Sequence, residues 1–311
     1  MILHHDVTEE EGGSPLLLIL RRSMGLSAGL VRALKAADGL KVDGVSRFTN
    51  YLVSPGERVF AHISLAEKVG DNLPEEGPLD VLFEDAGLIA VDKPAGLIVH
   101  PSRSKNSGTL SNFVAGYLQK RGEGPGCHIV NRLDRDTSGV VLFAKNAHVK
   151  DRASKALREG EKRYTALAVG ALSPLEGVID LPIRRFEARN MRRIVAPEGK
   201  RAVTRYHTIA QGVIEGVFCS ALELTLETGR THQIRVHCLH QGAPLVGDGL
   251  YYTEASRLFS EKLGIGRQLL HSGHLAFCHP LTGERVEIAA PILDGDFLGM
   301  LEKLGGMGQC S

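Results

Sequence analysis

An α+β fold is predicted for this chain: a mixed, largely antiparallel sheet with helices packed on it, preceded by a small αβ domain. Three observations carry this. Strand–turn–strand units dominate and do not alternate regularly with helices, which argues against a wound parallel sheet. Helical periodicity is confined to a few short stretches. A polar, turn-rich segment, 70–78 (GDNLPEEGP), separates an early αβ region from the rest and reads as a linker.

Residues 1–15 read as a loose leader, and the first domain spans 16–69. Leu16 to Met24 is apolar apart from Arg21, Arg22 and Ser23. Ser27 is placed to cap a helix with Leu30, Val31 and Leu34 on one face, stopped by Gly39. Asp43-Gly44 lies between Leu40-Lys41-Val42 and Val45-Ser46-Arg47, a hairpin signal. Ser54 to Glu57 then turns the chain into a strand from Arg58 to Ile63. The second domain, 79–304, opens with strands Leu79 to Phe83 and Leu88 to Asp92, followed by Lys93-Pro94-Ala95-Gly96 and a further strand, Leu97 to His100. Thr109 caps a helix in which Leu110, Phe113, Val114, Tyr117 and Leu118 follow helical spacing. Val140 to Ala144 is a continuous apolar run, a buried strand. Ala147 to Glu159 is helical, with Val149, Ala153, Ala156 and Leu157 inward and Gly160 ending it, and Lys162 to Val169 is a strand. Residues 305–311 are expected to form a flexible tail.

With 311 residues, 43% hydrophobic and 23% charged, the composition is that of a globular protein. The five cysteines are scattered, with no CxxC pair, so neither a disulfide framework nor a cysteine zinc site is indicated. No stretch is long enough to span a bilayer and the start has no basic n-region, so a cytoplasmic location with no membrane partner is expected. The net charge of +1 hides a strongly basic segment between Arg184 and Arg205. There Arg184, Arg185, Arg189, Arg192, Arg193, Lys200, Arg201 and Arg205 face only Glu187 and Glu198. Such a segment suits a polyanion, and equally a solvated charged hairpin.

The stretch Asn131-Arg132-Leu133-Asp134-Arg135-Asp136-Thr137-Ser138-Gly139 sets a carboxylate, Asp134, between arginines at the mouth of the buried strand. Thr137 and Ser138 can hydrogen-bond the local backbone, and Gly139 permits a tight entry into the strand. A rigid element can thus aim an acid, as a nucleophile or general base requires, although an Asp-rich loop looks the same.

Further motifs accompany this one in order: Asp92-Lys93-Pro94-Ala95-Gly96-Leu97-Ile98-Val99-His100-Pro101 before it, and Lys162-Arg163-Tyr164 after it. Then follow Glu227-Thr228-Gly229-Arg230-Thr231-His232-Gln233-Ile234-Arg235-Val236-His237, Pro244-Leu245-Val246-Gly247-Asp248, and Leu270-His271-Ser272-Gly273-His274-Leu275. Over roughly residues 79 to 295 the chain closely resembles the RluA-type RNA pseudouridine synthases. Residues 16 to about 65 resemble an S4-like RNA-binding domain, through the short helix, the Lys41-Val42-Asp43-Gly44 turn and the Pro55-Gly56-Glu57 turn. One departure stands out: the family usually has His before the Arg-Leu-Asp triplet, and this chain has Asn131, which cannot titrate.

The resemblance implies isomerisation of uridine in RNA to its C5-glycoside without a cofactor. Asp134 matches the catalytic aspartate, Tyr164 the active-site tyrosine, as base or stacking platform, and Arg235 the arginine that orients the carboxylate. Arg132 would take the space left by a flipped uridine. Arg184, Arg185, Arg192, Arg193, Lys200 and Arg201 would contact phosphates, and Lys93 would shape the neighbouring loop and touch RNA. Asp136 reads as a loop-structuring carboxylate. The expected partner of a monomeric protein is structured RNA, ribosomal before transfer RNA. A catalytically silent RNA-binding or ribosome-assembly factor would use the same basic surfaces, but the joint presence of Asp134, Tyr164 and Arg235 favours the enzyme. Neither a zinc site, whose spacing the late histidines do not match, nor a glycosidase, which lacks a marked partner acid, is favoured.

Overall fold

The computed structural model describes residues 1–66, 73–101, 106–124, 126–187 and 191–305. The N-terminal region forms a four-stranded antiparallel sheet of β1 (Ile2–Asp6), β2 (Leu40–Val42), β3 (Val45–Ser46) and β4 (Arg58–His62), in the order β1-β4-β2-β3. A helical turn, α1 (Leu16–Leu18), and helix α2 (Ala28–Ala36) cover it. Leu16, Leu20, Val31 and Leu34 meet Val42, Val59 and Ala61 in one core. The Ser27 hydroxyl accepts the Leu30 N–H at 3.1 Å, as an N-cap does. The helix stops before Gly39, because Asp38 takes the left-handed turn (φ 52°).

The expected loose leader is corrected: residues 2–6 are a strand, registered from Ile2 against His62 to Asp6 against Arg58. Leu3 packs on the core, His5 bonds Glu11 at 2.7 Å and Asp6 pairs with Arg58. Its two histidines disguise a period-2 strand.

The second sheet has ten strands. In chain order the elements are β5 (Asp80–Glu84), β6 (Leu88–Lys93), α3 (Leu110–Lys120), β7 (His128–Ile129), β8 (Ser138–Ala144), α4 (Ala147–Glu159), β9 (Glu161–Val169) and β10 (Glu176–Asp180). There follow β11 (Ile183–Arg185), β12 (Arg193–Val195), β13 (Val203–Ile214), β14 (Val217–Leu226), α5 (Gln233–His240), α6 (Glu254–Lys262), β15 (Leu270–Cys278), β16 (Arg285–Ala289) and α7 (Gly295–Lys303). The path is β10-β13-β14-β9-β15-β8-β6-β5, with β16 on β15 and β7 on β8; β11 and β12 form a separate hairpin. Every pairing is antiparallel except the short parallel contact of β15 with β8, so the expected mixed, largely antiparallel sheet is what forms. That parallel contact needs Gly139: at φ 108° its backbone comes so close that a Cβ would lie 2.2 Å from Ser272 O.

Two expectations fail. Residues 97–100 are not a strand: the Ile98 and Val99 carbonyls accept the Leu110 and Ser111 N–H groups at 2.9 and 3.0 Å, serving the start of α3 instead of a ladder. The expected linker is not free from residue 73 onward. The Asn112 amide donates to Leu73 O at 2.8 Å, the Glu75 N–H bonds Asn112 O, and Gly116 of α3 admits the backbone of Glu75. Residues 70–72 of that linker, Arg189, Cys310 and the tail beyond 305 lie outside the described residues. No described helix is long and apolar enough to cross a membrane.

Candidate active site

Asp134 stands in the turn that enters β8, closed by the Thr137 N–H bonding Asp134 O at 3.2 Å. Three neighbours hold this turn. Lys93, at the end of β6, donates from Nζ to Pro94 O (2.7 Å), Leu97 O (2.9 Å) and Arg135 O (2.8 Å), using all three ammonium protons. Arg267 donates to Asp136 O at 3.2 Å, and Gln268 to Thr137 Oγ1 at 3.2 Å. The expectation that Lys93 touches RNA is therefore corrected: it is fully buried, and its role is to stitch the 93–97 loop to the Asp134 turn. Burial pushes its ammonium down to about 8, against the pull of Asp136 and Asp134.

Asn131, where a histidine was expected, uses its amide twice. Nδ2 donates to Val140 O (3.2 Å) and Oδ1 accepts the Leu142 N–H (2.7 Å), imitating a strand along β8. Asp136 is chelated by Arg135 at 3.0 Å through both guanidinium contacts, as a loop-structuring carboxylate should be.

The Thr228–Arg235 stretch turns β14 into α5. The Gln233 side chain fixes it, accepting from Thr228 Oγ1 and the Arg230 N–H and donating to Val203 O and Thr204 Oγ1. The turn also forces His232 into the left-handed region (φ 57°), sparse for a residue with a side chain. From the first turn of α5, Arg235 reaches two carboxylates. Nη1 donates to Asp134 Oδ2 at 2.9 Å; Nε and Nη2 chelate Asp248 at 2.7 and 2.8 Å. The Asp248 side chain is fully buried and also accepts the Leu250 and Tyr251 N–H groups. The Tyr251 ring lies 5.0 Å from the guanidinium carbon, a cation–π contact. Its two carboxylates raise the Arg235 pKa although burial acts against them.

Asp134 thus has one oxygen fixed and one open. Oδ2 is held by Arg235, whereas Oδ1, among the described residues, faces His232 Nε2 at 3.8 Å, beyond hydrogen-bond length. The side chain keeps 24% of its exposure, so the open oxygen can be reached. Tyr164, on β9, is buried beside this turn; burial pushes its phenol up to about 12, with the Asp134 charge acting in the same direction. Asp134, Tyr164 and Arg235 are brought together as expected. Arg132 is exposed two residues from Asp134. The basic residues lie on and beside the β11–β12 hairpin: Arg185, Arg192, Lys200 and Arg201 are exposed and Arg184 and Arg193 half-buried, with Arg184 paired with Glu198 at 2.7 Å and Arg201 with Asp180 at 3.4 Å.

Sequence reasoning missed His232, Asp248 and Tyr251 as parts of the site. The Gly247-Asp248 pair is their one visible signal: a Cβ at Gly247 (φ 76°) would fall 1.9 Å from Arg267 O, so only glycine delivers Asp248 beneath Arg235. The other late histidines bridge elements: His237 bonds Thr204 and Leu181 O, and His271 bonds Ser138 and Ala290 O. Among the described residues no group of three or more His, Cys, Asp or Glu side chains is placed to hold a metal.

A family model described as RNA pseudouridylate synthase matches residues 87–240, spanning the Asp134 turn and the start of α5. An uncharacterized RNA pseudouridine synthase of Bacillus subtilis, YhcT, is 37% identical over 287 residues, covering 92% of both chains. This chain belongs to the RNA pseudouridine synthases. It is an isomerase of uridine in RNA, as the motifs led us to expect. Ribosomal large subunit pseudouridine synthase D of Escherichia coli O6:H1 is 37% identical over 246 residues, 76% of this chain and 74% of that one. The fold agrees with human RNA pseudouridylate synthase domain containing 4, at TM-score 0.57 and 24% identity over 73% of this chain and 93% of that one.

Proposed function

We propose that this pseudouridine synthase acts on structured RNA, ribosomal before transfer RNA, with Asp134 as its nucleophile. The observation that carries the assignment is the asymmetry of that carboxylate, one oxygen anchored by Arg235 and the other open, on a side chain that keeps 24% of its exposure. An anchored carboxylate presents its free lone pairs in a fixed direction, which is what covalent catalysis needs. Attack at ribose C1′ or at the uracil ring would use the same oxygen. In either route the N1–C1′ bond breaks, the base turns, the C5–C1′ bond forms, the C5 proton leaves and N1 gains one. A phenol raised to about 12 is neutral at working pH, so Tyr164 serves as a platform under the base and carries the C5 proton only by passing on its own.

A uridine must leave its stack to reach Asp134, and Arg132, exposed two residues away, would enter the gap it leaves. Arg184, Arg185, Arg192, Arg193, Lys200 and Arg201 would meet phosphates. The N-terminal sheet would act as the S4-like RNA-binding domain, and the catalytic domain would run from about 79 to 304. The ribosomal preference rests on relatives named ribosomal large subunit pseudouridine synthase D, including one from Xanthomonas campestris at 36% identity.

The test is tritium release from C5-labelled ribosomal and transfer RNA, taken from a strain lacking this protein. Wild type should release tritium from the ribosomal pool, and Asp134→Asn should lower the rate by at least about 10⁴-fold, the scale expected for loss of a nucleophile. No release from either pool with RNA binding intact would make the protein a silent RNA-binding factor.

A further inference from the structure

His232 occupies a backbone region that few side chains adopt, and its imidazole lies between a buried phenol and the open oxygen of Asp134. Such strain persists only where the surroundings enforce it. The contacts also decide where its proton sits. The Arg193 backbone N–H, on β12, donates to Tyr251 Oη at 2.7 Å. Tyr251 is buried (1% exposed), and among the described residues His232 Nδ1, 2.9 Å away, is the acceptor within reach of its hydroxyl proton. If the phenol donates to Nδ1, a neutral imidazole must carry its proton on Nε2. Nε2 is the atom that faces Asp134 Oδ1 at 3.8 Å. Burial and the Arg235 and Arg193 guanidiniums lower the His232 pKa from its ordinary value, against Asp134 and Asp248, so the ring is neutral at neutral pH. The rings of His232 and Tyr251 meet edge-on at 5.5 Å, and turning the imidazole over would lose the 2.9 Å bond between Nδ1 and Tyr251 Oη.

We propose that His232 is a positioning residue: held by Tyr251 as the Nε2–H tautomer, it aims a hydrogen-bond donor at the open oxygen of Asp134. The chain of contacts ends at Arg193, so the basic hairpin and the nucleophile are mechanically joined. Arg193 is half-buried, and among the described residues its Nη1 has no hydrogen-bond partner, which leaves the guanidinium a donor to offer a phosphate oxygen. Seating RNA on the hairpin would fix Tyr251, hence His232, hence the approach of Asp134 to within hydrogen-bond distance of Nε2. The proposal rests on the isomerase reading above.

Two measurements on the full chain test it. The first is ¹H–¹⁵N spectroscopy of histidine-labelled protein near pH 7.5, with the His232 signal assigned by its loss in His232→Gln. The expected result is an Nε2–H tautomer in the wild type that becomes a mixture in Tyr251→Phe. An Nδ1–H tautomer or an imidazolium in the wild type overturns the proposal. The second is single-turnover tritium release. His232→Gly removes the donor while relieving the backbone strain, so it should stay folded and lose at least about tenfold in rate, with little change in RNA affinity. His232→Gln, which returns an amide N–H, should recover part of that loss. A glycine variant as fast as wild type, or a glutamine variant no faster than glycine, overturns the positioning role. Wild type that releases no tritium defeats the isomerase reading, while the tautomer measurement still decides the His232 assignment.

Discussion

The site and the hairpin beside it are built from the same residue types and use them oppositely. Arg235 is 8% exposed and Asp248 fully buried; their pair is bidentate, and Asp248 accepts four N–H groups in all. Arg184 with Glu198, Arg201 with Asp180 and Arg205 with Glu227 lie at the surface, where water and salt screen them. A buried pair of this kind contributes little net stability, but it holds geometry, since losing one partner strands a charge. An exposed pair holds almost no geometry and yields easily, so its arginine is available to a phosphate. In the proposed reading, orientation of Asp134 and capture of RNA therefore fall to different environments of one side chain.

The largest way to break this contrast is Asp248→Asn. The amide cannot balance the Arg235 charge, and one of its donors faces a guanidinium N–H. We expect a loss of about 3–5 kcal/mol and a fall in kcat greater than in KM, because Arg235 no longer holds Asp134 Oδ2. The same change at the surface, Glu227→Gln, should cost less than about 1 kcal/mol. Denaturant midpoints of the two variants, measured side by side, check the ratio; equal losses would mean that burial does not separate the two regions.

A smaller effect is expected at the rim. Lys200→Ala combined with Arg201→Ala removes two exposed cations. RNA affinity should drop, and the slope of log affinity against log salt should flatten by about 1.5, near the value for two lost phosphate contacts. The loss should fall on KM. An unchanged slope, from filter binding at several salt concentrations, would remove these residues from the RNA surface.

The same contrast explains what the sequence made legible. The buried strand β8, the helix 147–159 and the hairpin at Asp43-Gly44 follow from local periodicity and turn chemistry, which a chain displays openly. Asp134, Tyr164 and Arg235 were found because their motifs resemble a family, and no spacing rule would bring residues 101 apart in the chain into contact. Asp248, Tyr251 and His232 act through contacts made by folding: a glycine-permitted approach, a buried phenol and a left-handed turn. Lys93 was misplaced for a related reason. A lysine beside a proline in a polar motif looks exposed, and only the convergence of three backbone carbonyls makes its burial tolerable.

Asp92 sharpens the comparison from the other side, because it is a half-buried carboxylate whose neighbour across the strands is another acid, Asp80. Burial first, and the Asp80 charge second, push its carboxyl up to about 6, while the Gly139 N–H acts in the opposite direction. Asp248 has a guanidinium bound to both oxygens; Asp92 faces a like charge that outweighs the pull of Lys93. The folded state therefore binds the Asp92 proton more tightly than the unfolded chain does. Its favourable contribution is complete below the unfolded value near 4 and is lost as pH rises through about 6. Asp92→Asn should raise stability at pH 8 by roughly 1 kcal/mol, the linkage limit being reduced by solvent screening at a half-exposed site. At pH 4.5, where the folded carboxyl is already protonated, the variant and wild type should differ little. Thermal or denaturant midpoints at the two pH values decide it. An equal gain at both would trace the effect to packing, and a loss at pH 8 would mean that the carboxylate is held charged by a partner, as Asp248 is.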